Sequence, residues 1–366
     1  MKRETRPLLR TPSGYQSATA MKNKVVGILV GAIIVGSITT LGVALFLLDN
    51  DDSIKKPPVL VPGDTVGMIS PASPYSYIYT DTNQYLTKVT NDLTGLGLNV
   101  YFGPHMSDVY GYLAGVDENR AADVNAMFAN STIQFIVSNR GGWGCDRILP
   151  LIDWDIVRHN PKIIMGYSDL TALLNAIHFK TGLVTFHGAM GIDDWSSWNG
   201  FYVQQILFNK TKGFVYQNPP GYNITTWSPG KAKGKLVGGN LSVFNTLVGT
   251  EYLPDRIDWS DVILFLEEVD EPPYTVDRML TFLNFTILPK VAGVIFGQCT
   301  SCEPSNPSQS LTLNDVFKYH FANLGVPAFS GAFIGHQGQQ FVVPIGTRVE
   351  MDASKGTIKL LESPLA

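Results

Sequence analysis

Short continuous apolar runs alternate along this chain with longer stretches whose apolar positions recur every three or four residues, as expected of buried strands exchanging with amphipathic helices. Residues 65–70 (TVGMIS) read as a strand ending in the Pro71-Ala72-Ser73-Pro74 loop, residues 82–96 as a helix and 99–102 as a strand. Residues 117–128 are predicted to form a helix capped by its acidic first residue, Asp117. The runs at 133–137 (IQFIV) and 162–165 (KIIM) are predicted strands that lead into glycine-containing turns. Buried strands separated by helices predict an α/β fold: an N-terminal, mostly parallel sheet flanked by helices, with its chemistry at the carboxyl ends of strands.

Between residues 213 and 230 the chain turns rich in Pro, Gly, Asn and Tyr, which reads as an interdomain linker. Beyond it come strand-like runs at 235–238, 262–266, 291–296, 327–329, 340–343 and 357–361, with helical patterns at 276–283 and 313–323. The expected organisation is an N-terminal domain over 61–212 and a smaller C-terminal α/β domain over 231–366.

A different pattern precedes both. Residues 25–48 carry no charge and would span about 36 Å as a helix, against a hydrocarbon core of about 30 Å. The run is too long for a signal peptide, so a single transmembrane helix is expected, with a basic tail at 1–24 and a charged, Pro-containing linker at 49–60. Lys2, Arg3, Arg6, Arg10, Lys22 and Lys24 precede it, and Asp49, Asp51 and Asp52 follow. The positive-inside tendency then predicts a single-pass membrane protein with a cytosolic N-terminus and an extracellular or lumenal folded part.

A net charge of -4 excludes a nucleic-acid partner, which would require a dense Lys/Arg surface. Asn-x-Ser/Thr triplets at Asn130, Asn209, Asn223, Asn240 and Asn284 suit a glycoprotein of the secretory pathway. The three cysteines do not make a disulfide framework, although Cys299 and Cys302 are spaced to bridge locally.

Candidate chemistry gathers at strand ends. Ser168 stands between the 162–165 strand and the helical pattern LTALLNAIHF, a strand-turn-helix placement that presents a hydroxyl beside helix N-terminal amides. A Ser-Asp pair there equally suits a helix cap. The Arg140-Gly141-Gly142-Trp143-Gly144 turn emerges at the same sheet edge, where its amides suit an oxyanion, or where glycines merely serve a tight turn. Glu267 and Glu268 end the VILFL strand, placed to fix a histidine tautomer or simply to meet water. His336 lies in Ile334-Gly335-His336-Gln337-Gly338, and His187 in Thr185-Phe186-His187-Gly188 is its rival as a general base.

The segments GMISPASP (67–74), YLAGVDENRAADVNAMF (112–128), RGGWGCDRILPLID (140–153), IMGYSDLTALLNAI (164–177), TFHGAM (185–190), GKLVGGNLSVFNTLVGT (234–250), LFLEEVDEPPYTVDRML (264–280) and GHQGQQFVVPIG (335–346) together resemble the L,D-carboxypeptidase family, which includes the microcin C immunity peptidases. The resemblance covers residue 61 to the C-terminus. It implies Ser168 as nucleophile, Glu267 as the acidic member and His336 as the base of a triad. The amides of Asp169 and of Gly142, or its neighbour Gly141, would be the oxyanion donors. It further implies a homodimer, no metal and no cofactor, and a muropeptide or other small peptide substrate cut between an L-centre and a terminal D-residue.

Two departures stand out: Trp143 replaces a tyrosine more usual in the family, and the expected anchor contrasts with cytoplasmic bacterial members. The sequence leaves two competing functions. One is an immunity-like amidase on peptidyl nucleotide analogues, with Trp195, Trp198 or Trp227 as a platform for the base. The other is an inactive muropeptide-binding protein. Asn240 is expected to stay bare, since its GGN segment belongs to a motif packed near the site.

Overall fold

Residues 53–195 and 197–366 are described by the computed structural model. Along the N-terminal half run β1 (Thr65–Ile69), α1 (Thr82–Gly95), β2 (Asn99–Phe102), α2 (Asp117–Ala129), β3 (Phe135–Ser138), α3 (Cys145–Ile148), α4 (Trp154–His159), β4 (Ile163–Gly166), α5 (Leu170–Thr181) and β5 (Thr185–His187). After them come α6 (Trp198–Leu207), β6 (Val215–Tyr216), β7 (Thr225–Ser228), β8 (Lys231–Asn240), α7 (Leu241–Leu247), β9 (Val262–Val269), α8 (Pro273–Thr286), β10 (Gly293–Thr300), α9 (Leu313–Phe321), β11 (Ala328–Ser330), β12 (Val343–Ile345), β13 (Arg348–Asp352) and β14 (Thr357–Leu360).

The first sheet has the order β12-β5-β4-β3-β1-β2. Strands β1 to β5 are parallel and β12 adds antiparallel along β5. Because β2 and β3 lie on opposite sides of β1, the strand order reverses direction between β1 and β3, the usual place for a ligand in such sheets. The second sheet, β6-β14-β13-β8-β9-β10-β11-β7, has a parallel centre from β8 to β11 and antiparallel flanks. The 213–230 segment, rich in Pro and Gly, contributes β6 and β7 to it.

Helix α5 is apolar around nearly its whole circumference and buried from Leu170 to His178, as expected of a helix enclosed on every side. It ends at Gly182, whose left-handed conformation (φ 76°) suits a residue without Cβ. Strand β8 approaches the start of α5 closely: Thr171 Oγ1 accepts from Asn240 N at 2.9 Å, and Asn175 Nδ2 donates to the Gly238 carbonyl at 2.9 Å. A Cβ at Gly239 would collide with the Thr171 side chain, and Gly239 also has φ 143°. Only glycine lets the two backbones lie this near.

Asp117 begins α2 without capping it. Val116 is the N-cap and makes no side-chain bond, while Asp117 pairs with Arg120 at 2.5 Å and Arg147 at 2.9 Å. Cys299 and Cys302 are joined by a disulfide, and Cys145 is free and buried. Asn240 is buried and committed, its Oδ1 capping α7 through Val243 N (3.2 Å) and its Nδ2 donating to Glu268 (3.1 Å).

The membrane expectation is corrected. Among the described residues no helix is long and apolar enough to cross a membrane. Residues 25–48, to which the sequence reading assigns the span, lie outside the described residues. The α/β part of the fold expectation fits; the transmembrane helix, the membrane partner and the single-pass, outward-facing localisation are withdrawn.

Candidate active site

Ser168 follows β4 with φ 61°, a left-handed conformation that a non-glycine residue adopts at some cost. This lifts its side chain out of the strand direction at the mouth of α5. Asp169, the N-cap of α5, makes no side-chain cap bond. Instead its Oδ2 accepts from Cys145 N at 2.8 Å, tying the glycine turn after β3 to the start of α5. Burial pushes the Asp169 carboxyl up to about 6, against the Cys145 bond that favours its charged form.

The glycine turn lies directly against the serine. A Cβ placed on Gly141 would sit 2.7 Å from Ser168 Cβ, 2.8 Å from its Oγ and 3.3 Å from Asp169 N. The backbone of Gly141 therefore approaches as no other residue allows. Ser73, from the loop after β1, fastens the turn: its N–H donates to the Gly141 carbonyl (3.2 Å) and its Oγ accepts from Trp143 N (3.2 Å). Arg120, wholly buried, donates to the carbonyls of Pro71 and Gly144 and so braces the same two loops. Thus the β1 and β3 loops meet at the switch point of the first sheet.

From the second sheet comes an acidic strand end. Glu267 and Glu268 are both buried on β9 but do different work. Glu268 accepts from Ser242 N (2.8 Å), Ser242 Oγ (2.6 Å) and Asn240 Nδ2 (3.1 Å), which places a carboxylate at the N-terminus of α7. Glu267 Oε2 instead accepts from His336 Nδ1 at 2.7 Å. That bond fixes the proton on Nδ1 and leaves Nε2 as the basic nitrogen of the neutral ring, buried and without a partner among the described residues. Burial pulls the His336 pKa down, but the charge and hydrogen bond of Glu267, with Glu268 and Asp193 beyond, carry it above its ordinary value.

Tyr167 connects the two halves. It directly precedes Ser168, and its ring stands edge-on to the His336 ring with centroids 4.9 Å apart. Its hydroxyl donates to Asp193 Oδ1 at 3.1 Å. His187, the rival base, is enclosed completely, and both its nitrogens lack partners among the described residues. Burial pulls its pKa down to about 4, so it is neutral across the physiological range. Of the sequence candidates, Ser168, Asp169, Gly141 and Gly142 gather at one sheet edge, Glu267 and His336 pair, and no hydrogen bond joins Ser168 to His336. Tyr167, Asp193 and Ser73 were not singled out by sequence. Each acts from a loop, and only the SPASP and GYSD segments hint at two of them.

The three tryptophans offered as a base platform are tied down. Trp195 is buried with its indole N–H on the Met190 carbonyl (2.8 Å). Half-buried Trp198 and Trp227 donate to the Gln340 carbonyl (3.2 Å) and Ser330 Oγ (2.9 Å). Trp143, beside the glycine turn, is 42% exposed.

A serine in a strained strand-to-helix turn, amides crowded around it and a loop histidine bound to a carboxylate near the end of β9 are the parts of a serine hydrolase. Residues 66–188 match the LD-carboxypeptidase N-terminal domain and residues 233–351 the LD-carboxypeptidase C-terminal domain. The chain belongs to the LD-carboxypeptidase family and is a serine carboxypeptidase of the L,D type. It is 40% identical over 308 residues to a probable murein peptide carboxypeptidase of Bacillus subtilis (strain 168), covering 82% of this chain and 93% of that one. Its fold is similar to that of a microcin C7 self-immunity protein solved with aspartyl sulfamoyl adenosine (TM-score 0.77, 25% identity, 85% of this chain and 100% of that one). It also shares the fold of a muramoyltetrapeptide carboxypeptidase from Oxalobacter formigenes (TM-score 0.70, 23% identity, 81% and 97% covered).

Proposed function

We propose that Ser168, His336 and Glu267 act as a catalytic triad that removes the terminal D-amino acid from peptidoglycan-derived peptides through an acyl-enzyme. The observation that carries this reading is the 2.7 Å bond from His336 Nδ1 to buried Glu267, which keeps Nε2 as the free base on a ring packed against Tyr167, next to the nucleophile. In the first step His336 Nε2 takes the Ser168 proton as Oγ attacks the carbonyl carbon of the L-centre. The amides of Asp169 and of Gly142, or its neighbour Gly141, stabilise the oxyanion, and Glu267 stabilises the imidazolium. His336 then gives its proton to the departing D-amino acid nitrogen. Water, activated by the same ring, hydrolyses the ester.

Support for the muropeptide substrate comes from the relatives named as murein peptide and muramoyltetrapeptide carboxypeptidases. The full-length protein should release D-alanine from a disaccharide-free tetrapeptide ending in D-alanine. Ser168→Ala should slow that release by about 10⁴- to 10⁶-fold, the usual cost of losing one triad member. Undiminished release by the variant rejects the assignment. The same assay run on an aminoacyl sulfamoyl adenosine separates the immunity-type reaction, for which Trp195 is buried while Trp198 and Trp227 are only half-buried. A homodimer, implied by the family resemblance, predicts about twice the chain mass of 40.1 kDa by light scattering.

A further inference from the structure

His187 closes β5 with its ring fully enclosed, and neither nitrogen has a hydrogen-bond partner among the described residues. It stands edge-on to Phe265 at 5.4 Å and tilted to Tyr167 at 6.1 Å. Phe265 and Glu267 are two residues apart on β9, so their side chains leave the same face of the strand. Tyr167 in turn meets His336, and His336 holds Glu267. The imidazole, the two aromatic rings and the acidic pair thus close a circuit. On that circuit lies a second orphan: Glu267 Oε1 is buried and has no partner among the described residues.

Polar atoms buried without partners are costly, and a phenylalanine would fill the His187 slot without that cost. Glu267 lies near enough for its charge to act on His187, and both its free oxygen and the neutral imidazole are unsatisfied, a cost removed if one small molecule links them. A water needs at least two polar partners to be held inside a protein, and these two groups supply them. The geometry points to His187 as a positioning residue: its neutral ring donates, through one enclosed water molecule, to Glu267 Oε1 and fixes the carboxylate plane whose other oxygen holds His336. The ring is suited to this because burial keeps it neutral, with one N–H to give, even though the charge of Glu267 favours protonation. His187 touches neither substrate nor Ser168 in this scheme and acts only through Glu267.

This inference rests on the triad reading above, and the experiment keeps the two apart. In the full-length protein, His187→Phe should lower kcat for D-alanine release by about 10- to 100-fold, the usual scale for a lost supporting bond or a small misplacement of a catalytic group. KM should stay within about twofold, and Tm should hold or rise. An amide at this position should restore most of the rate: His187→Asn matches Nδ1 and His187→Gln matches Nε2, and the better of the two is the relevant comparison. Placed in a Glu267→Gln background, His187→Phe should add no further loss, since its only route is through that carboxylate. His187→Leu gives the same comparison if the phenylalanine variant does not fold. Unchanged kcat in His187→Phe, losses that multiply with Glu267→Gln, or a fall in Tm that tracks the fall in rate would each overturn the proposal. Wild-type kcat in Glu267→Gln alone would overturn the triad reading instead.

Discussion

Two ionisable side chains of the site are pushed in opposite senses by their surroundings. His336 is carried above its ordinary pKa because a buried carboxylate faces it, and His187 is pulled to about 4 because burial outweighs that same carboxylate. In the proposed triad only a neutral His336 accepts the serine proton, so kcat/KM should rise with pH through an apparent pKa above the ordinary 6.5. That value belongs to the histidine–carboxylate pair as a unit. Glu267→Gln removes the charge that raises it. The acid limb should then move to lower pH while kcat falls by about 10⁴-fold, as when an amide replaces a triad acid; a pH–rate profile of both proteins reads the two effects together. An acid limb left in place by the substitution would mean that another group titrates.

Helix α5 and strand β8 are the elements on which the site depends. The helix presents Ser168 and Asp169 at its start, and β8 leads to Asn240 and α7 while touching α5 through Thr171 and Asn175. Gly239→Ala should disturb both the fold and catalysis, because a methyl group there meets Thr171 and the backbone angle disfavours any Cβ. A loss of about 1–3 kcal/mol is expected, readable as a lower urea midpoint. Leu174→Ala, fully buried in α5, should cost about 2–5 kcal/mol in the same measurement.

Sequence made α5 visible because its apolar run follows a strand and a glycine ends it, and β1, β3 and β4 stood out as buried runs. Strand β8 was legible only over 235–238, since exposed Lys231 and Lys233 pair across to β13, where Lys233 meets Glu350 and Lys231 meets Asp352, each at 3.4 Å. Helices α6 and α7 went unread, and β12 was placed a few residues early. Pro344 obscured it, although a proline is tolerated on an edge strand. At the site, Ser168, Glu267 and His336 were visible because each follows an apolar run, whereas Asp193 and Ser73 act through loop contacts that have no period.

For the molecule as a whole, stability in acid follows from the buried titrating groups. Unfolded, His178 and His187 take up protons near 6.5, but folded only at about 4. As pH falls from about 6.5 to 4 the unfolded chain binds more protons, and each histidine withdraws about 3 kcal/mol of stability. Asp169 works the other way: held at about 6 when folded, it takes its proton first in the native state, as do Asp123, Asp146, Asp193 and Glu268, whose carboxyls burial also raises. Because it removes one of the two histidine losses, His187→Phe should lose less Tm than the wild type as pH falls from about 6.5 to 4. A His187→Phe curve as steep as that of the wild type would contradict the burial of that ring.

Strand β12 belongs to the first sheet and β13, two residues later, to the second. The tail of the chain is therefore sewn through both layers, and neither half carries a complete set of strands. A nick in the exposed stretch around Pro220 and Gly221 should leave the pieces holding together as a working enzyme. Either fragment made alone should be insoluble, yet the two produced in one cell should reconstitute activity.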